Sequence, residues 1–219
     1  MLRALGPDLA SMTTWSAVAT ELNGEMAEVI NRTARVHKLA HYLPVCESVV
    51  EGARPIRMLE IGSFYGDSLQ IWQEYLHPDS LIVGIDLDSK LVKIANSGGV
   101  HVRIVGEKND SLLSELAAEF GPFDVILDAG SHTSSQMVDS FRCLFANALS
   151  DSGVYVVEDG YCDFWAFYNR FSFIDVVKAL IDAVYGHYQV ATSETNVRVG
   201  HIVIVRRATR DLSRSIYRS

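Results

Sequence analysis

Cysteine is scarce in this 219-residue sequence, which holds only Cys46, Cys143 and Cys162 and no CxxC pair. An odd number at those spacings argues against a disulfide framework or a cysteine-based zinc site. It points instead to free thiols in a reducing compartment, and a cytoplasmic location is expected. No apolar run is long enough to cross a bilayer, so no transmembrane helix is expected. The opening MLRALGPDLASMTTW has apolar runs too short for a secretory signal. Positive charge is also in deficit. Nineteen Lys and Arg against 27 Asp and Glu leave a net charge of −8, which excludes a broad surface for nucleic acid or anionic membrane. No GxGxxG stretch occurs, so the fingerprint of a pyrophosphate-binding dinucleotide site, and with it a nicotinamide dehydrogenase, is disfavoured. There is no internal repeat, low-complexity tract or Pro/Gly/Ser-rich linker. One domain is therefore expected over residues 1–219, with a helical lid at 1–52, a core at 53–207 and a tail at 208–219.

What is present is an alternation. Thr14–Arg35 reads as an amphipathic helix and His37–Glu51 as a second helix bent at Pro44, before Arg54-Pro55 breaks the pattern. Short apolar runs follow at Ile56–Ile61, Leu81–Ile85, Val100–Val105, Phe123–Leu127 and Val154–Val157. Helical patterns separate them at Asp67–Tyr75, Lys90–Ala95, Asp110–Glu119 and Ser134–Leu149. Strands without in/out alternation, each followed by a helix, indicate a parallel sheet covered on both faces. Beyond Glu158–Arg170, a polar and aromatic loop, a helix is expected at Phe173–Tyr185, then strands at Tyr188–Thr192 and Gly200–Arg206 with a turn at Ser193–Asn196. Two strands with no helix between them predict an antiparallel pair at the sheet edge. The expected fold is thus α/β: a Rossmann-like, doubly wound, seven-stranded sheet, mostly parallel with an antiparallel edge strand, preceded by N-terminal helices.

The segment MLEIGSFYGDS puts Glu60, Gly62 and Ser63 at the carboxyl end of the first strand, with Gly66 opening the next helix. Ligands of open α/β sheets sit at that crevice, and glycines there permit tight turns and close backbone approach. An acid at position 60 would repel a pyrophosphate but suits the ammonium of an amino-acid cofactor. Asp86 ends the second strand, where a carboxylate can bond both ribose hydroxyls. The fourth strand ends FDVILDAGSHTSSQ and the fifth VYVVEDGYCDFW, bringing Asp128, Ser131, His132, Glu158 and Asp159 to the same edge. Crowded carboxylates repel one another, and a Mg²⁺ ion would relieve that cost. His132 can accept a hydroxyl proton near neutral pH.

These motifs resemble the class I S-adenosylmethionine-dependent methyltransferases over residues 55–206. The resemblance implies that Glu60, Gly62, Ser63 and Gly66 hold the methionine moiety and Asp86 the ribose. It puts Glu107 and Asn109, with Asp110, near the adenine; helix capping is the alternative for Asn109 and Asp110. The stretches Asp128–His132 and Val157–Trp165 resemble a narrower group, the metal-dependent sugar O-methyltransferases of macrolide-antibiotic pathways. That resemblance implies His132 as base, Asp128 at the cofactor and metal edge, and Mg²⁺ held by Asp128, Glu158 and Asp159. The acceptor it implies is a small hydroxylated molecule, a sugar or glycosylated natural product. Ala129 stands where those relatives usually carry a second aspartate, which keeps a metal-free methyltransferase open as an alternative. A non-catalytic cofactor-binding protein of the same fold is the other.

Phe164, Trp165, Phe167, Tyr168 and Phe171 either line the acceptor or pack the sheet edge. His37 and His41 share one helical face and read as flanking a core stripe. The N-terminal helices are expected to cover the pocket or to join copies in a homo-oligomer.

Overall fold

The computed structural model describes residues 24–32, 42–63, 66–86, 99–104, 110–130, 133–160, 172–187, 196–199 and 203–206. Two helices come first, α1 (Glu25–Arg32) and α2 (Leu43–Val49). Then β1 (Arg57–Ile61), α3 (Asp67–Tyr75), β2 (Leu81–Asp86), β3 (Val100–Ile104), α4 (Asp110–Phe120) and β4 (Phe123–Asp128) alternate. After them come α5 (Ser134–Asn147), β5 (Leu149–Val157), α6 (Phe173–His187), β6 (Asn196–Val199) and β7 (Val203–Arg206).

The strands form one sheet in the order β3-β2-β1-β4-β5-β7-β6. Strands β1 to β5 are mutually parallel. β7 pairs antiparallel with β5, and β6 pairs antiparallel with β7. The strand that opposes its neighbours is therefore β7, inside the sheet, and not the edge strand itself. The outermost strand, β6, runs with β1–β5. This corrects the expected antiparallel edge strand, while the expected antiparallel pair at the sheet edge is present as β7 and β6.

Continuous burial marks the central strands as covered on both faces. Alternate residues feed two cores. On one face Met58, Ile82, Val125, Leu127, Val154 and Val156 pack against α1, α2 and α3 through Met26, Cys46 and Trp72. On the other face Leu59, Val83, Ile126, Tyr155 and Val157 meet α4, α5 and α6 through Leu116, Met137, Leu144 and Val177. This period-two division decides which way each strand-end acid points.

Other boundaries differ from the sequence reading. Pro44 lies in the first turn of α2, where its missing N–H costs nothing, and so it starts that helix instead of bending it. β5 begins at Leu149, through the turn-like Ser150–Gly153, because Ser150 bonds Asp124 and Ser152 takes a positive φ of 66° inside an irregular ladder. The last strands are β6 and β7, so Asn196 opens a strand instead of closing a turn. The helix expected at Lys90–Ala95 and the strand at Tyr188–Thr192 fall outside the described residues.

Candidate functional site at the carboxyl edge of the sheet

Strand order reverses between β1 and β4, and their carboxyl ends form the crevice where ligands of doubly wound sheets sit. The backbone after β1 is tied to both neighbours. Gly62 N–H donates to Ile85 O at 2.8 Å, and Ala129 N–H donates to Ile61 O at 3.0 Å. Gly62 has φ +81°, and a Cβ there would collide with Gly130 Cα and lie 2.7 Å from Ala129 O. A glycine is required at this position by the close passage of the residues after β1 and β4. Gly66, with φ +78°, caps α3 and donates its N–H to Ser63 O at 2.8 Å.

Glu60 is fully buried in β1. Its Oε1 accepts from Ser68 Oγ at 2.5 Å and from Trp72 Nε1 at 3.3 Å, both on α3. Register places Gly84 of β2 beside it. Ser63 is also fully buried, and its Oγ has no hydrogen-bond partner among the described residues. A buried hydroxyl left over in the switch-point loop fits a polar ligand group there, since leaving it unmade costs roughly 1–3 kcal/mol. Asp86 is half-buried at the end of β2. Glu107 and Asn109 lie outside the described residues.

The three acids expected to share a metal are not brought together. Asp128 is buried on the α4–α6 face, where its Oδ2 accepts from the Tyr155 hydroxyl at 3.2 Å and its Oδ1 from Gly130 N–H at 3.3 Å. Burial pushes its pKa up to about 6, against the opposing effect of those two donors. Burial, then the charge of Asp128, holds the Tyr155 hydroxyl well above its usual value, so it remains a donor. Glu158 projects to the opposite face, because it follows Val157, the register partner of Asp128, by one residue. There its Oε1 meets the Cys46 thiol at 3.8 Å. Next to it, Asp159 Oδ1 accepts from the Tyr42 hydroxyl at 2.8 Å, and Asp159 N–H donates back to that hydroxyl at 3.2 Å. Burial first, and the adjacent Asp159, push the Tyr42 hydroxyl far up, keeping its proton in place.

No group of three His, Cys, Asp or Glu side chains capable of holding a metal occurs among the described residues. Glu158 and Asp159 fit as two hard oxygen donors of the kind Mg²⁺ accepts, while Asp128, turned to the other face, does not. His132, Ser131 and the aromatic stretch from Phe164 to Phe171 lie outside the described residues, as do His37 and His41.

Sequence reading missed Tyr42 and Cys46. Their spacing of four places them on one helical face, but nothing local shows that this face meets a motif more than a hundred residues away. A separate cleft of about 370 Å³ opens between Glu47–Glu51, Arg54, Asp124 and Ser150–Val154. It lies at the amino ends of β1, β4 and β5, the wrong edge for a ligand of a parallel sheet. No described helix is long and apolar enough to cross a membrane.

This is the fold of the class I S-adenosylmethionine-dependent methyltransferases. The chain superposes on MycE methyltransferase from the mycinamycin biosynthetic pathway, solved with Mg, SAH and mycinamycin VI, with a TM-score of 0.74 and 21% identity. That match covers 93% of this chain and 61% of the other. In sequence it is 33% identical over 148 residues to demethylmacrocin O-methyltransferase of Streptomyces fradiae, covering 59% of this chain and 35% of that protein. It is 35% identical over 152 residues to L-olivosyl-oleandolide 3-O-methyltransferase of Streptomyces antibioticus, covering 61% of this chain and 37% of that protein. The matched region thus spans little more than a third of these curated relatives. No protein-family model matches the chain.

Proposed function

We propose that this chain transfers the methyl group of S-adenosylmethionine to a hydroxyl of a small glycosylated molecule. The observation that supports this most is the set of switch-point residues Gly62, Ser63 and Gly66, with buried Glu60 behind them, in a chain similar to proteins named demethylmacrocin O-methyltransferase and L-olivosyl-oleandolide 3-O-methyltransferase.

In this reading Glu60, held by Ser68 and Trp72, faces the ammonium of the methionine moiety, and Ser63 Oγ takes a polar group of the same moiety. Asp86 bonds the ribose hydroxyls, and Glu107 and Asn109 border the adenine. His132 removes the acceptor proton as the acceptor oxygen bonds to the methyl carbon. The carbon–sulfur bond breaks with its electron pair left on sulfur, and S-adenosylhomocysteine results. Positioning and a base are most of what such an in-line displacement needs from the protein. Mg²⁺ at Glu158 and Asp159 would lower the pKa of an acceptor hydroxyl. Ala129 and the orientation of Asp128 favour a second reading, in which the same transfer proceeds without a metal.

Calorimetric titration of EDTA-treated protein with S-adenosylhomocysteine, then Mg²⁺, tests both readings. The first predicts saturable nucleoside binding and a metal heat that disappears in Glu158→Ala. Nucleoside binding with no metal heat selects the second. A folded protein that binds no nucleoside overturns the proposal. Transfer of labelled methyl to a panel of glycosylated alcohols, lost in His132→Ala with nucleoside binding intact, tests the catalytic assignment.

A further inference from the structure

We infer that Tyr42 is a positioning residue for the acidic pair Glu158–Asp159, fixing the Asp159 carboxylate for cation binding from a helix distant in the chain. The inference rests on the metal-assisted form of the proposed function. Asp159 is one of two non-glycine residues with positive φ among those described, at +57°, a conformation that persists only when its surroundings hold it. The Tyr42 hydroxyl does so at two points. It donates to Oδ1 at 2.8 Å and accepts from the Asp159 N–H at 3.2 Å, setting backbone and carboxylate together. Tyr42 is itself locked, 1% exposed in the core between α2 and the sheet. Four residues on, in α2, Cys46 brings its thiol to Glu158 Oε1, so the start of α2 and the residue that caps it meet both acids. Partners of this kind orient metal-binding carboxylates, and their loss typically weakens metal binding ten- to a hundredfold.

Mn²⁺ titrations of the full chain followed by electron paramagnetic resonance, wild type against Tyr42→Phe, test this. S-adenosylhomocysteine affinity is measured on the same samples. The expected result is Mn²⁺ binding weakened about tenfold or more in Tyr42→Phe, with nucleoside affinity unchanged. Equal Mn²⁺ affinity in the two proteins overturns the positioning role and leaves the proposed function standing. A parallel fall in both affinities also overturns it, since that marks a merely structural residue. Wild-type protein that binds the nucleoside but no Mn²⁺ removes the metal-assisted reading, and this inference with it. Should Tyr42→Phe not fold, Asp159→Glu, which shifts the carboxylate away from the hydroxyl, takes its place. Undiminished Mn²⁺ binding there overturns the inference.

Discussion

Glu158 N–H donates to the carbonyl of Asp128 at 2.9 Å, yet the two carboxylates lie on opposite faces of the sheet. Adjacent strand ends therefore serve two environments. Asp128 sits in a closed apolar layer under Tyr155, and Glu158 faces α2.

The closed layer has a pH signature. Because Asp128 titrates near 6 in the folded chain and lower when unfolded, the native state binds the extra proton between those values. Its contribution to stability is thus present at about pH 4 and lost as pH rises to about 6, by up to roughly 3 kcal/mol for a two-unit shift. Urea unfolding of wild type and Asp128→Asn from pH 4 to 7 measures this. The difference between the two curves should slope downward for wild type over that window and be flat above it. A difference independent of pH contradicts the assignment.

Gly62 tolerates no side chain. Gly62→Ala would place a Cβ against Gly130 and the Ala129 carbonyl at a backbone φ of +81°. A loss of about 3 kcal/mol or more is expected, since neither obstacle is a flexible side chain. Gly84→Ala meets Leu69 Cδ1 and Ser63 Oγ, which can move, and should cost about half as much. Chemical denaturation of the two variants compares them directly.

Glu60 depends on α3. Trp72→Phe removes one of its donors and should destabilise the chain by about 1–3 kcal/mol. If Glu60 faces the cofactor's ammonium, Glu60→Gln should weaken S-adenosylhomocysteine binding about tenfold or more by calorimetry. Unchanged nucleoside affinity in Glu60→Gln would remove Glu60 from the cofactor site.

Helix α1 begins on a borrowed cap. Met26 N–H donates to Glu47 Oε1 at 2.7 Å, so α2 supplies the acceptor that α1 lacks in its own sequence. Glu47→Ala should cost about 1 kcal/mol. Faster amide hydrogen exchange confined to the first turn of α1 is the expected mark, and exchange unchanged at Met26 would show the bond to be unimportant.

Much of the fold was legible along the chain. The apolar runs Ile56–Ile61, Leu81–Ile85 and Phe123–Leu127 fall on the observed β1, β2 and β4, and the glycine-bearing segment after the first run signals the switch point. Legibility failed where polar residues enter a strand, as at Ser150–Gly153. It failed again where one residue shifts meaning with its place in a helix, as at Pro44. The acids at the carboxyl edge were legible as a group by position, because strand ends follow from local pattern.

The sequence by itself therefore determined the order of elements, the parallel character of the central strands and the edge at which the polar groups collect. These depend on hydrophobic period, which is a local property. Only the tertiary structure decided that Asp128 lies beneath Tyr155 while Asp159 lies beneath Tyr42. That depends on which helices cover each face, and contacts spanning 27 and 117 residues arise from packing, not from any pattern carried by either segment.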